Sequence, residues 1–212
     1  MGQGVEKSVL YVNDLDAMIS FDFQDRAANL CDLDGVYREY FAKLAGDPGY
    51  NVFSYISSHD TKLFPRGRLI DGSTALLLAP RWVQVVYGDE TARPPGPFTN
   101  SDSQQAMRSD MNWNAIKDSV LAHWARLTQS RARYRAFARV SANPYVFSRV
   151  AASGGDRILA AIGVNGEQEL SVGDIFANGV RLRDAYTGCE VTVSGGKMKV
   201  LSDGAVLLEA TP

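Results

Sequence analysis

The stretch Asn51-Val-Phe-Ser-Tyr-Ile-Ser-Ser-His-Asp-Thr61 predicts a buried β-strand that ends in a polar cluster. Its first half is rich in β-branched and aromatic residues, and near-continuous apolar runs of this kind are typical of strands in parallel sheets. Open α/β sheets and barrels bind ligands at the carboxyl ends of such strands. His59 and Asp60 are therefore candidate site residues.

The polar cluster also has a second interpretation. Ser57-Ser-His-Asp60 could cap a following helix or form a solvated loop in which Asp60 accepts hydrogen bonds from backbone amides. A motif this short does not separate the two interpretations. The rest of the chain has to decide between them.

Composition excludes several classes of protein. The 212 residues suffice for one large domain or for one and a half smaller ones, and the net charge of −2 gives no electrostatic footprint for nucleic acid or an anionic membrane. No apolar stretch is long enough to span a bilayer, and the first residues lack the pattern of a signal peptide. Cys31 and Cys189 lie far apart without neighbouring metal ligands, which favours two free thiols over a disulfide.

The first two thirds of the chain alternate between strand-like and helix-like segments. This order predicts parallel βαβ units. A long helix is expected from about Asn112, with Trp113 on its apolar stripe and five arginines on its solvated faces, at positions 126, 131, 133, 135 and 139. The preceding loop, Pro94 to Ser109, has no periodicity, and loops of this length are usually functional or mobile. The predicted strands are Ala17–Phe23, Asn51–Ile56 and Val83–Tyr87, and the earlier helices are Asp32–Leu44 and a segment from about Asp71 to Pro80.

The pattern changes near Pro144, after which short apolar runs alternate with glycine-containing turns. This spacing predicts an antiparallel β-sandwich. We therefore expect an α/β part over residues 1–140 and an all-β domain over residues 141–212. The predicted strands are Tyr145–Val150, Arg157–Val164, Val180–Asp184, Glu190–Val193, Lys197–Leu201 and Ala205–Glu209.

Several segments resemble the α-amylase family of glycoside hydrolases, in the order that the family has them. Tyr55-Ile-Ser-Ser-His-Asp60 resembles the region at the end of barrel strand seven. Ala75-Leu-Leu-Leu-Ala-Pro-Arg-Trp-Val-Gln-Val-Val-Tyr-Gly-Asp-Glu90 resembles the passage into strand eight, although Ala79-Pro80-Arg81 replaces the usual Thr-Pro-Gly and Val86-Tyr87 the usual Tyr-Tyr. Asp16 to Gln24 is similar to strand six, and Leu182–Gly188 with Ala205–Glu209 is similar to the β-sandwich after the barrel. The resemblance implies the last three βα units of a TIM barrel followed by that β-sandwich.

The resemblance also implies roles for particular residues. Asp60 matches the carboxylate that stabilises the positively charged transition state, and His59 matches the neighbouring residue that hydrogen-bonds the same sugar. Tyr87 is a candidate for stacking on a sugar ring, as are Trp82 and Phe98, although core packing is the default role of an aromatic side chain. No segment matches the regions that carry the nucleophilic Asp and the acid Glu, and Asp22, Asp89 and Glu90 are the only tempting substitutes. For Asp89 and Glu90, structuring the loop after strand eight is the preferred interpretation.

The implied activity is hydrolysis of α-1,4-glucans such as starch or maltodextrin with retention of configuration, and the isolated chain is expected to be inactive. The alternative is a non-catalytic module that binds glucans or serves in assembly. We expect no metal or cofactor in this chain, although calcium is possible in a full-length enzyme. The expected partners are an α-glucan and, through exposed barrel-strand edges, a second copy of the chain. The compartment is open, with a periplasmic or secreted location favoured over the cytoplasm.

Overall fold

The computed structural model describes residues 17–47, 49–97, 103–131, 134–151 and 155–211. They divide into two compact units, and the border between them along the chain lies between Trp124 and Ala125. The first unit is α/β and the second is rich in β-strand, so the predicted order of an α/β part followed by an all-β part is confirmed. The predicted border at residues 140 and 141 falls inside a strand, Tyr134–Ala142, and stays a prediction.

The first unit is built on three short parallel strands, β1 (Met18–Ser20), β2 (Val52–Ser54) and β3 (Trp82–Val83), in that spatial order. Ile19 pairs with Phe53, and Phe53 pairs with Trp82. The parallel βαβ order predicted from the sequence is therefore present, with shorter strands than expected. This unit also contains helices α1 (Phe23–Ala28), α2 (Leu30–Gly46) and α3 (Leu69–Leu77), with 3-10 turns at Arg66–Arg68 and Ser103–Arg108. The border between the two units lies within helix α4 (Asp118–Arg131).

Helix α2 shows the amphipathic face that its sequence predicts. Leu33, Val36, Tyr37 and Tyr40 recur at intervals of three and four residues and are all fully buried. The hydroxyl of Ser54 on β2 donates to the Tyr40 hydroxyl over 3.2 Å, which joins the helix to the middle strand. This helix therefore covers one face of the parallel sheet.

The segment after residue 111 departs from its prediction. Asn112 uses its side-chain amide to donate to the carbonyls of Thr91 (3.0 Å) and Ala115 (2.8 Å), and the backbone turns here instead of entering a helix. Helix α4 starts only at Asp118, and Trp113 lies in the turn, 72% exposed. The predicted helix start and the predicted place of Trp113 on a buried stripe are both wrong, because these local side-chain bonds compete with the helix.

Among its described residues, the second unit forms an antiparallel sheet of six strands. Two arginines predicted on the long helix, at positions 135 and 139, belong instead to the first of these strands. Arg133 lies outside the described residues, as does Phe98. The two predicted strands after Lys197 form one continuous strand, and Arg157–Val164 continues to Ser171, because these two long strands pair along almost their whole length. The strands are β4 (Tyr134–Ala142), β5 (Tyr145–Ala151), β6 (Arg157–Ser171), β7 (Arg181–Asp184), β8 (Glu190–Thr192) and β9 (Lys197–Ala210).

An apolar cluster packs against one part of this sheet. Leu159, Leu170, Leu182, Val206 and Leu208 are among its members, and all are nearly or fully buried. In the spatial order β4-β5-β6-β9-β7-β8, they come from the neighbouring strands β6, β9 and β7, so the cluster joins the centre of the sheet. The described strands form one hydrogen-bonded sheet, and the division into the two layers of a sandwich stays a prediction.

Asp184 fixes the turn that follows β7. One carboxylate oxygen accepts from the backbone amide of Leu207 (3.2 Å), and the other accepts from the amide (3.1 Å) and the hydroxyl (2.6 Å) of Thr187. The Leu207 amide is buried, so it has no access to water as a substitute acceptor. The buried carboxylate therefore joins the turn to β9.

We expect Asp184→Ala to lower the free energy of unfolding of the second unit by about 2–3 kcal/mol, because it leaves the buried amide of Leu207 without a hydrogen-bond acceptor. Chemical denaturation followed by circular dichroism measures the change. Asp174→Ala, at an exposed turn position, is the control and should leave the midpoint unchanged. Equal midpoints for the two variants would contradict the role of Asp184.

Among the described helices, none combines the length and the apolar character needed to cross a lipid bilayer.

Candidate functional site

Three loops converge at the carboxyl edge of the parallel sheet. They follow β1 (residues 21–22), β2 (residues 55–62) and β3 (residues 84–93). Because neighbouring parallel strands end at the same edge, side chains far apart in the sequence meet there. Asp60, His59 and Tyr87 all belong to these loops.

Asp60 presents its carboxylate to solvent, with a side-chain exposure of 59%. Nε2 of His59, which is 53% exposed, lies 3.1 Å from Oδ2 of Asp60, and Nη2 of Arg108 donates to Oδ1 over 2.8 Å. The backbone amide of Asp60 donates to the Ser58 hydroxyl over 3.0 Å. The carboxylate therefore lies between an imidazole and a guanidinium at the mouth of the sheet.

The helix-cap interpretation of this cluster does not hold for the helix that follows. Helix α3 begins after Arg68, and in the described residues no side chain caps its first turn. The cluster instead forms a loop whose backbone closes through a bond from the Ser58 amide to the Lys62 carbonyl (3.0 Å). A loop closed in this way holds His59 and Asp60 outward.

Gln24 anchors the Asp60 loop from α1. Its side chain is buried, and its amide nitrogen donates to the carbonyls of Ile56 (2.6 Å) and Lys62 (2.8 Å). Its amide oxygen accepts from the Thr61 hydroxyl (2.9 Å). One glutamine thus ties both ends of the loop, and no sequence signal marks it, because its partners lie 32 to 38 residues away.

A buried polar cluster lies beneath the loop. Oδ1 of Asp89 accepts from the Ser57 hydroxyl (2.7 Å) and lies 2.9 Å from Nη2 of Arg66. The Ser57 hydroxyl also accepts from the backbone amide of Phe64 (3.0 Å). Burial raises the pKa of the Asp89 carboxyl above its ordinary value of 3.8, and the charge of Arg66 opposes that rise. The cluster connects the loop after β2 to the loop after β3.

The other carboxylates at this edge bind groups of the protein. Asp22 accepts from the Ser20 hydroxyl (2.8 Å), and Glu90 accepts from the backbone amide of Gly88 (3.0 Å). Asp89 is buried against Ser57 and Arg66, so each of the three has a partner within the protein. They differ from Asp60, whose carboxylate is more than half exposed.

Tyr87 lies in the third loop with 45% of its surface exposed. Its hydroxyl donates to the Ser109 carbonyl (2.9 Å), and the guanidinium carbon of Arg93 lies 4.1 Å from its ring centroid. The tyrosine therefore combines an exposed surface with a fixed ring orientation. Sequence reasoning missed Arg93 and Arg108, since one is an isolated arginine and the other belongs to a loop without periodicity.

No three His, Cys, Asp or Glu side chains gather into a metal-binding group within the described part of the chain. Cys189 is a free and exposed thiol. The side chain of Cys31 lies outside the described residues.

Known proteins resemble the chain in both sequence and structure. No protein-family model matches it. It is 45% identical over 142 residues to the periplasmic α-amylase of Escherichia coli strain K12, a match that covers 64% of this chain and 20% of that enzyme. The chain is therefore similar in sequence to a part of an α-amylase.

Solved α-amylases also share the fold of this chain. An Anoxybacillus α-amylase superposes with a TM-score of 0.71 at 22% identity, covering 93% of this chain and 48% of the other. The Geobacillus thermoleovorans α-amylase, solved with acarbose, superposes with a TM-score of 0.70 at 17% identity and the same coverage. The chain thus spans a fifth of the length of the curated relative and about half of these solved enzymes.

Proposed function

We propose that this chain is part of a retaining glycoside hydrolase that acts on α-1,4-glucans, in which Asp60 is the carboxylate that stabilises the transition state. The observation that carries the proposal is the exposed Asp60 carboxylate between His59 and Arg108 at the edge of a parallel sheet. The acarbose bound to the Geobacillus relative supports an α-glucan as substrate.

The chemistry assigns different tasks to different carboxylates. Retaining hydrolysis needs a nucleophile and an acid about 5 to 5.5 Å apart, and its transition state carries positive charge on the sugar ring. Asp60 accepts hydrogen bonds from sugar hydroxyls, and His59 donates to the same sugar. Such bonds accelerate the reaction because they are stronger in the transition state than in the ground state. The exposed ring of Tyr87 offers a flat apolar surface for a sugar.

The isolated chain has no hydrolytic activity under this proposal. Its sequence matches neither the nucleophile region nor the acid region of the family. Asp22, Asp89 and Glu90 do not replace them in this proposal, because each is less exposed than Asp60 and binds a hydroxyl, a guanidinium or a backbone amide of the protein. This chain therefore supplies only the stabilising carboxylate, Asp60, and neither the nucleophile nor the acid.

A paired assay of hydrolysis and binding tests the proposal. We expect the purified chain to release no reducing ends from soluble starch and to bind maltoheptaose with a dissociation constant on the order of 1 mM. Asp60→Asn should weaken the binding, whereas Asp174→Asn in the second unit should leave it unchanged. Release of reducing ends would contradict the proposed inactivity, and binding that is unchanged by Asp60→Asn would favour a glucan-binding module with a different site.

We also propose that the chain self-associates through the edges of its parallel sheet. Ile19 and Phe21, in or next to β1, and Trp82 and Val85, in or next to β3, are large exposed apolar side chains on the two edge strands. Light scattering over a dilution series should show a mass that falls toward 23.1 kDa as the chain is diluted. A mass of one chain at every concentration would contradict self-association.

Two further proposals concern the whole protein. A periplasmic location follows from the similarity to the Escherichia coli enzyme, and cell fractionation tests it. Calcium in a full-length enzyme and the absence of a cofactor from this chain stay predictions, which metal analysis of the purified protein would test.

A further inference from the structure

Arg93 is fully buried, at 0% exposure, directly behind the candidate site. Its Nε donates to the carbonyl of Tyr87 (3.1 Å), and its two terminal nitrogens donate to the carbonyls of Ser109 and Met107 (2.9 Å each). Ser109 also accepts through its hydroxyl. An arginine keeps its charge when it is buried, so its donors need acceptors on every side. Here the acceptors come from two separate segments of the site.

The same guanidinium lies against the ring of Tyr87, at 4.1 Å from the ring centroid. It thus holds Tyr87 by both its backbone carbonyl and its ring, while the Tyr87 hydroxyl binds Ser109 (2.9 Å). Gly88 makes room for this packing. A Cβ at position 88 would lie 2.4 Å from Cβ and 2.6 Å from Nε of Arg93. The backbone of Gly88 has a φ of +86°, which glycine adopts readily.

Arg108 lies between Met107 and Ser109, whose carbonyls accept hydrogen bonds from Arg93. The guanidinium of Arg108 donates to the carboxylate of Asp60. Arg93 therefore fixes an aromatic ring and a cation that both belong to the site, without reaching Asp60 itself in any described bond. We propose that Arg93 is a positioning residue that sets Tyr87 and Arg108 relative to Asp60 for glucan binding. This inference rests on the proposed function.

Arg93→Lys tests the inference, because lysine keeps the charge but cannot serve three diverging carbonyls. We expect the dissociation constant for maltoheptaose to rise at least fivefold at a temperature where the variant is folded, which circular dichroism verifies. Gly88→Ala, which displaces Arg93 without removing it, should weaken binding in the same direction. Arg157→Lys is the matched control, since Arg157 donates to the Ile175 carbonyl (2.9 Å) in the second unit and should leave the affinity unchanged.

A double variant that lacks the side chains of Tyr87 and Arg108 distinguishes a positioning role of Arg93 from general support of the fold. In a chain that carries Tyr87→Ala and Arg108→Ala, Arg93→Lys should have no added effect on affinity, because the groups that it positions are gone. An equal loss of affinity in this background would assign Arg93 a purely structural role and overturn the inference. If Asp60→Asn weakens maltoheptaose binding and Arg93→Lys leaves it unchanged, the positioning role of Arg93 is overturned and the proposed function stands. Absence of maltoheptaose binding by the unaltered chain overturns the proposed function and the positioning role together.

Discussion

A chimera in which this chain replaces the corresponding part of the Escherichia coli periplasmic α-amylase is expected to hydrolyse soluble starch. In that chimera, Asp60→Asn should lower kcat by about 10²- to 10³-fold, the range found when one preorganised electrostatic contact to a transition state is removed. Asparagine keeps the size of the side chain but has no negative charge to stabilise the sugar cation. The loss should fall mainly on kcat, because the contact is stronger in the transition state.

The measurement is the rate of reducing-end release at several starch concentrations, with the melting temperature recorded for each variant. Asp60 is exposed, so Asp60→Asn should leave the fold intact. The chimera that carries Asp174→Asn is the control and should keep its full rate. A chimera that stays active with Asp60→Asn would remove Asp60 from the catalytic assignment, whereas an inactive but folded chimera would show that this chain does not replace the part of the relative.

Arg66→Met is expected to lower the free energy of unfolding of the first unit by roughly 3–5 kcal/mol at neutral pH, the cost of leaving one member of a buried ion pair alone. The side chain of Asp89 is only 2% exposed and lies 2.9 Å from Nη2 of Arg66. Methionine fills similar volume without charge. Ser57 still donates to the carboxylate, but one neutral hydroxyl does not compensate a buried charge.

The size of this effect should depend on pH. Burial raises the pKa of Asp89 above its unfolded value near 3.8, and Arg66 limits that rise. The stability linked to this carboxyl is therefore fully present below about pH 3.8 and decreases as the pH rises through the pKa of the folded state. Removing Arg66 raises that pKa further, so the deficit of Arg66→Met should be small near pH 4 and largest at neutral pH.

Urea denaturation at a series of pH values measures the deficit. Asp89→Asn combined with Arg66→Met is the control, because it removes both charges and keeps an acceptor for Ser57. This double variant should recover much of the lost stability and lose the pH dependence. A deficit that is constant from pH 4 to pH 7 would contradict the assigned role of the ion pair.

The fold of the first unit could be predicted from local patterns. The apolar run before Ser57 forms the middle parallel strand, and the spacing of Val36, Tyr37 and Tyr40 marks the buried face of α2. These signals are readable because each depends on the period of one element. The prediction was wrong at Asn112 and Trp113, where side-chain bonds to Thr91 turn the chain before the helix begins.

The support of the site could not be predicted in the same way. Gln24, Arg93 and Arg108 hold the loops around Asp60 and Tyr87, and their partners lie between 6 and 48 residues away. A lone glutamine or arginine in a sequence carries no mark of the carbonyl or carboxylate that it will meet. Only the convergence of three strand ends at one sheet edge brings these partners into contact.

The sequence by itself determined the order of the two parts, the strand before Ser57 and the candidate pair His59 and Asp60. Local patterns treat Asp60 and Asp89 alike, since both follow an apolar run that predicts a strand, and only the family resemblance assigned them different roles. The tertiary structure adds that Asp89 is buried against Ser57 and Arg66, whereas Asp60 is exposed. Burial depends on neighbours from distant segments, so the carboxylate available to a ligand is fixed only when the strands assemble.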